Sequence, residues 1–225
     1  MTDRSITVAI DGPAGAGKST VAKRVAQALG YALVDTGAIY RAVALVSERA
    51  GVRWDDDDGL GRIAQRLTIT FKFAGGDNRV FLEGEDVTEA IRAPHISMGA
   101  STVSARPAVR QGLLALQRRL AGAGGAVLEG RDIGTVVCPE AAVKIFLDAS
   151  AEERARRRFR ELVDKGQKPV FEEVLAEQAR RDLQDQSRAI APLRPAEDAL
   201  VLDSTKLPIG EVVEQILGAV RARSG

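Results

Sequence analysis

The chain of 225 residues contains one cysteine, Cys138, and one histidine, His95. A lone cysteine excludes an intramolecular disulfide and any zinc site built from several thiolates. A lone histidine excludes a metal cage of imidazoles and leaves no Ser/His/Asp triad to argue for. Aromatic residues make up only 4%, too few for the stacking platforms that hold single-stranded nucleic acid. A surplus of one charge sign is missing too. The 32 Lys+Arg residues face 31 Asp+Glu, for a net charge of +1, which argues against a protein that wraps duplex DNA. No apolar run approaches the ~18 residues of a membrane span. The segment Met1–Val8 lacks the apolar stretch of a secretory signal. These absences predict a reducing, cytoplasmic setting, with neither nucleic acid nor membrane as partner.

What is present is the material of a sizeable core, 45% hydrophobic against 28% charged. Short apolar runs alternate with amphipathic segments. Five runs read as strands buried on both faces: Ile6–Ile10, Ala32–Asp35, Ala126–Glu129, Val143–Leu147 and Leu200–Leu202. Between them lie helical patterns. Lys18–Leu29 carries Val21, Val25 and Leu29 on one face and stops at Gly30. Pro107–Leu120 starts on a proline suited to the first helical position and aligns Val109, Leu113, Leu116 and Leu120. Ser150-Ala151-Glu152-Glu153 has the form of a capping box, and Val212, Val213, Ile216, Leu217 and Val220 mark a last helix. The alternation predicts an α/β fold: a five-stranded parallel sheet with helices on both faces. One stretch breaks the rhythm. Leu67–Phe73 alternates with period two, Gly75–Asn78 reads as a turn, and Arg79–Glu83 follows, so a small antiparallel hairpin is expected. It divides the chain into a core of residues 1–61 and 103–225 and an insert of 62–102. The acidic run Asp55–Asp58 before the insert reads as a solvated loop or a helix start.

The chemistry starts with Gly12-Pro13-Ala14-Gly15-Ala16-Gly17-Lys18-Ser19, followed by Thr20, which fits G-x-x-x-x-G-K-S between a strand and a helix. Glycines let successive backbone N–H groups turn inward around phosphate oxygens, and the helix N-terminus adds positive potential. Lys18 reaches the β- and γ-phosphates, and the Ser19 hydroxyl completes a Mg²⁺ shell. The chain is therefore read as binding a nucleoside triphosphate. Arg41 follows the second strand and Arg131 and Asp132 follow the third, at the edge where open α/β sheets bind ligands. Singly each reads as a surface salt bridge; together beside a phosphate loop they suit a second polyanion. Arg154, Arg156, Arg157, Arg158 and Arg160 fall within seven positions, more than the nearby Glu152, Glu153 and Glu161 can match, as expected of a helix that closes over phosphates. Arg181, Asp185 and Arg188 share one helical face.

The ordered set GPAGAGKST (Gly12–Thr20), DTGAIYR (Asp35–Arg41), EGRDIGT (Glu129–Thr135), ERARRR (Glu153–Arg158), RRDLQDQSR (Arg180–Arg188) and AIAPL followed by ALVLDST resembles bacterial cytidylate kinases over almost the whole chain. The resemblance implies a P-loop nucleoside monophosphate kinase that moves the γ-phosphoryl group of ATP to CMP or dCMP, with Mg²⁺ as cofactor. It implies that Gly12–Thr20 hold ATP and that Thr36, Arg41, Ser101, Arg110, Arg131 and Asp132 line the acceptor pocket. Arg181, Asp185 and Arg188 would contact ribose and cytosine, and residues of about 151–169 would form a helical lid. Lys18, Arg131, Arg157 and Arg158 would stabilise the transferred group. The insert would be the acceptor-binding extension, and a monomer is expected. Glu129 departs from the pattern, which would place aspartate before Gly-Arg-Asp; the longer acid puts a metal-water or ribose contact in doubt. Two other readings stay open: a P-loop kinase of UMP, AMP or a shikimate-like metabolite, and a nucleotide-driven regulatory switch with no second phosphate site.

Overall fold

A computed structural model describes residues 6–74, 77–122 and 124–224. In chain order the elements are β1 (Thr7–Asp11), α1 (Lys18–Leu29), β2 (Ala32–Asp35), α2 (Thr36–Arg49), α3 (Asp57–Arg66), β3 (Ile69–Ala74), β4 (Asp77–Leu82), β5 (Glu85–Asp86), α4 (Pro94–Ser104), α5 (Pro107–Ala121), β6 (Ala126–Gly130), β7 (Val143–Asp148), α6 (Ala151–Asp164), α7 (Phe171–Gln186), β8 (Leu200–Asp203) and α8 (Ile209–Ser224). A single π-helical turn, Ile133–Val137, follows β6. The five strands expected of the main sheet all form, in the order β2-β6-β1-β7-β8, and every pair is parallel.

The period of two sorts the side chains of this sheet onto its faces. Val8 and Ile10 of β1 join Val127, Ile145 and Leu147 under α1 and α8, where Val21, Val25, Val212 and Ile216 complete one apolar layer. Ala9, Val34 and Leu128 face the other way, against Ile39 and Val43 of α2 and Val109 and Leu113 of α5. This two-sided cover explains why the strands read as continuous apolar runs rather than alternating ones.

Local chemistry sets the helix ends. Asp35 accepts the Ala38 N–H at 3.0 Å and starts α2. Asp56 does the same for Gly59 at 2.9 Å, with Asp57 and Asp58 in the first turn of α3, so the acidic run is a helix start. Ser150 accepts the Glu153 N–H at 3.3 Å, the backbone half of the expected capping box. The hairpin pairs Ile69 with Leu82 and Phe71 with Val80, and β5 adds a short third strand. Its expected turn falls partly on Gly75 and Gly76, outside the described residues. Ile69, Val80 and Leu82 rest on the same apolar core as α2 and α5. Positions 62 and 102 lie inside α3 and α4. No helix among the described residues is long and apolar enough to cross a membrane.

Candidate active site

The phosphate loop joins the end of β1 to α1, and its backbone requires glycine at three points, Gly15 at φ +77° among them. Gly12 lies at φ +148°, and a Cβ there would come within 1.9 Å of the Leu147 carbonyl oxygen. Gly17 caps α1 at φ +92°. Lys18 is buried, with Nζ donating to the Pro13 carbonyl at 2.7 Å, so the loop curls around its own lysine. Burial, and then the Arg131 charge, pull the Lys18 ammonium below its usual value. The Ser19 hydroxyl donates to Glu129 Oε2 at 2.8 Å. Burial, and then the Asp35 carboxylate, push the Glu129 carboxyl upward. Thr36 donates to the Glu129 carbonyl at 2.7 Å, which ties the start of α2 to the end of β6.

A cluster of paired arginines occupies the other half of the sheet edge. Arg41 meets Asp35 at 2.7 Å, while its Nε is buried without a partner. Arg110 meets Asp132 at 2.6 Å with side-chain exposures of only 6% and 8%, and its guanidinium lies 5.4 Å from the Tyr40 ring centroid. Arg131 donates from Nε to Asp185 at 2.8 Å, and Arg188 closes on the other oxygen of the same carboxylate. Burial alone would raise Asp185; Arg131 and Arg188 outweigh it and hold the carboxyl below its usual range. Arg188 also reaches Ser104 Oγ at 3.4 Å and keeps an unpartnered buried Nε. Arg181 forms no ion pair among the described residues, and burial followed by the Arg131 charge lowers its value. Ser101 exchanges hydrogen bonds with Gln184, at 3.2 and 3.3 Å, fastening α4 to α7. The result is five guanidiniums against three carboxylates. That excess, with orphaned donors at Arg41 and Arg188, suits an incoming polyanion.

The expected helical face of Arg181, Asp185 and Arg188 needs one correction. The helix ends at Gln186, so Arg188 lies just beyond it and returns to Asp185 from the following turn. In the arginine run of α6 the three nearby acids do not match every guanidinium, as expected, and Arg160 forms no ion pair among the described residues. Arg156 pairs with Glu152, Arg157 with Glu153 and Arg158 with Glu161, all within one or two turns. Arg154 takes a partner that local spacing could not reveal, Asp182 of α7 at 2.6 Å, and donates to the Ala14 carbonyl at 3.2 Å. Arg157 reaches the phosphate loop at the Ala16 carbonyl, 3.2 Å away, and the Ser204 carbonyl at 2.6 Å. Arg158 is partly exposed on its own helix.

Ser204, Asp182, Gln178, Tyr40 and Asp11 belong to the site or its support, yet the sequence reading passed over them. Tyr40, Asp182 and Ser204 lie inside the quoted motif segments and Asp11 stands directly before Gly12, while Gln178 carried no signal. His95 is exposed beside Glu48 at 3.2 Å, and the half-buried Cys138 thiol is pushed up by burial, so neither enters the site.

A sequence profile of the cytidylate kinase family matches residues 8–222. A cytidylate kinase of Geobacter sp. is 52% identical over 99% of this chain and 96% of its own. That of Geobacter sulfurreducens is 54% identical over 98% and 94%, and that of Vibrio cholerae 50% identical over 99% of each. Among solved structures, an uncharacterized protein from Eubacterium ventriosum aligns at TM-score 0.56 with 12% identity, covering 97% of this chain and 99% of that one. A gluconokinase from Sinorhizobium meliloti aligns at TM-score 0.50 with 17% identity, covering 97% and 93%. These distant likenesses show a shared fold and nothing more. With full-length identity near one half and a profile spanning the core, the hairpin and α8, the chain belongs to the cytidylate kinase family.

Proposed function

We propose that the protein transfers the γ-phosphoryl group of ATP to CMP or dCMP, giving ADP and CDP or dCDP. The observation that carries this reading is the adjacency of two polyanion sites along one sheet edge. The phosphate loop follows β1 and the arginine cluster follows its hydrogen-bonded neighbour β6, with Asp11 paired to Gly130. A nucleotide switch has use for the first site only.

The backbone of Gly12–Thr20 holds the ATP phosphates, with Lys18 released from the Pro13 carbonyl to a phosphate oxygen. Ser19 and Glu129 present a hydroxyl and a buried carboxylate 2.8 Å apart, an all-oxygen donor set suited to Mg²⁺. Among the described residues no group of three acidic, His or Cys side chains is placed to hold a metal, and Ser19 and Glu129 would hold the cation together with the triphosphate oxygens. When bound, it neutralises charge on the phosphoryl group in transit. Arg41 and Arg131 hold the acceptor phosphate, while Thr36 and Ser101 line its pocket. Arg181 and Asp185 meet the ribose. Arg188, Arg110 and Asp132 read the base, for the Asp132 carboxylate accepts from the exocyclic amine that cytosine has and uracil lacks. The attacking phosphate oxygen is already ionised, so no general base is needed, in keeping with the exposed His95. Arg157 and Arg158 of α6 act from the lid of about 151–169, and closure excludes the water that would hydrolyse ATP. Residues 62–102 serve as the acceptor-binding insert. All these groups come from one chain, consistent with a monomer working in the cytoplasm.

Titration calorimetry of CMP without ATP separates this reading from a switch. Saturable binding is expected below about 1 mM, the upper end of ordinary enzyme substrates. No binding up to that concentration would contradict a preformed acceptor site.

A further inference from the structure

Asp11 ends β1 one residue before the phosphate loop, and it is only 4% exposed. Its two carboxylate oxygens accept the backbone N–H groups of Ile133 at 2.8 Å and Gly134 at 2.7 Å, across 122 and 123 residues of chain. Ile133 and Gly134 open the π-helical turn Ile133–Val137, whose later N–H groups, of Val136 and Val137, return to the Asp132 carbonyl. The first N–H groups of any helical turn lack partners within it, and the residue just before the turn ordinarily supplies one from its side chain. Here that residue is Asp132, an aspartate, a good capping residue by type. It makes no such cap. Its carboxylate is committed to Arg110 at 2.6 Å.

We infer that Asp11 is a positioning residue of the acceptor pocket: it caps the Ile133–Val137 turn in place of Asp132, and so keeps the Asp132 carboxylate on Arg110. The division of labour is enforced by burial. Two buried N–H groups need an acceptor, and losing one leaves a desolvated donor. Without Asp11, the nearest carboxylate able to take the cap is Asp132 itself, which would have to leave Arg110 to do so. Asp11 thereby links the two halves of the site. It fixes the turn that follows Arg131 and Asp132 against the strand that leads into the phosphate loop.

This inference rests on the reading of Asp132 as the group that recognises cytosine. The test is therefore a specificity measurement with the whole enzyme. Wild type, Asp11→Asn, Asp132→Asn and the double variant are compared for kcat/KM with CMP and with UMP, and for affinity toward a non-hydrolysable ATP analogue. Asparagine keeps the shape of Asp11 but offers one acceptor oxygen instead of two. Asp11→Asn is expected to narrow the CMP-over-UMP preference roughly tenfold or more, the scale set by displacing a reacting or recognising group by about 1 Å, with analogue affinity changed less than about threefold. Adding Asp11→Asn to Asp132→Asn is expected to leave the remaining preference unchanged, since both act through one carboxylate. Equal losses for CMP and UMP, a parallel fall in ATP-analogue affinity, or effects that multiply in the double variant would overturn the inference. If Asp11→Asn does not fold, amide hydrogen exchange in the wild type decides: protection of Ile133 and Gly134 matching that of β6 supports the cap, and rapid exchange refutes it. A wild type without preference for CMP over UMP would instead defeat the cytidylate reading, so the two failures are distinguishable.

Discussion

Burial raises the Asp11 carboxyl from 3.8 to about 6, with the neighbouring Asp132 adding to the rise, against the pull of the Gly134 and Ile133 amides and of Lys18. A folded value above the unfolded one means that the folded chain holds this proton more tightly. The associated stability is fully present below about pH 4 and is lost as pH climbs through about 6. The charge that caps the turn is thus retained at the expense of stability at neutral pH. Asp11→Asn cannot titrate, so the wild type should gain about 1 kcal/mol on the variant between about pH 7.5 and about pH 5. Denaturant unfolding of both proteins at the two pH values measures this. An identical difference at both would mean that the Asp11 carboxyl titrates at its ordinary value. Nothing in the sequence around residue 11 points to residues 133 and 134, because the contact is made only when β1 and β6 lie side by side. Glu129 shows the same limit. Its departure from aspartate was visible in the sequence, but its contact with Ser19 was not.

At the scale of elements, the start of α6 is a dense joint. Arg154 donates to the Ala149 carbonyl at 2.9 Å, to Ala14 in the phosphate loop and to Asp182 of α7. Gln178 of α7 closes on the Arg154 carbonyl at 3.3 Å, above Gly15. The closure proposed for α6 would pivot beyond this knot. Arg154→Met keeps the apolar stem but strands the Asp182 carboxylate in a largely buried place, and about 3 kcal/mol of destabilisation is expected. Thermal unfolding reads it directly, and an unchanged Tm would show that the knot contributes nothing. The strands and α1 were legible because each is a dense local pattern ended by a glycine or an acid, as Lys18–Leu29 is by Gly30. The hairpin was legible from its strict alternation. The fate of the arginines was not, because Arg154 and Asp182 stand 28 residues apart and meet only through the packing of α6 on α7. The insert boundaries were hard to place for a similar reason: α3 and α4 continue the core, with Leu60, Ala64, Ile96 and Val103 in the same apolar cluster as α2.

Across the whole molecule, a net charge of +1 averages two opposed environments. Exposed pairs such as Arg53 with Asp55 and Lys165 with Glu161 cancel locally and contribute little. The arginine cluster after β6 gathers guanidiniums in excess of carboxylates, and most of them are withdrawn from solvent, where a phosphate would gain most from them. The near-neutral total therefore concealed this local excess of positive charge. The parallel sheet places the phosphate loop and the arginine cluster along one edge, after the paired strands β1 and β6. Everything in this arrangement depends on which acceptor is phosphorylated. The most direct measurement is the initial rate of ADP formation with ATP and Mg²⁺ for CMP, dCMP, UMP and AMP in parallel. The highest kcat/KM should fall on CMP or dCMP, with UMP behind them and AMP negligible. A preference for AMP, or ADP release that does not depend on the acceptor, would contradict the account.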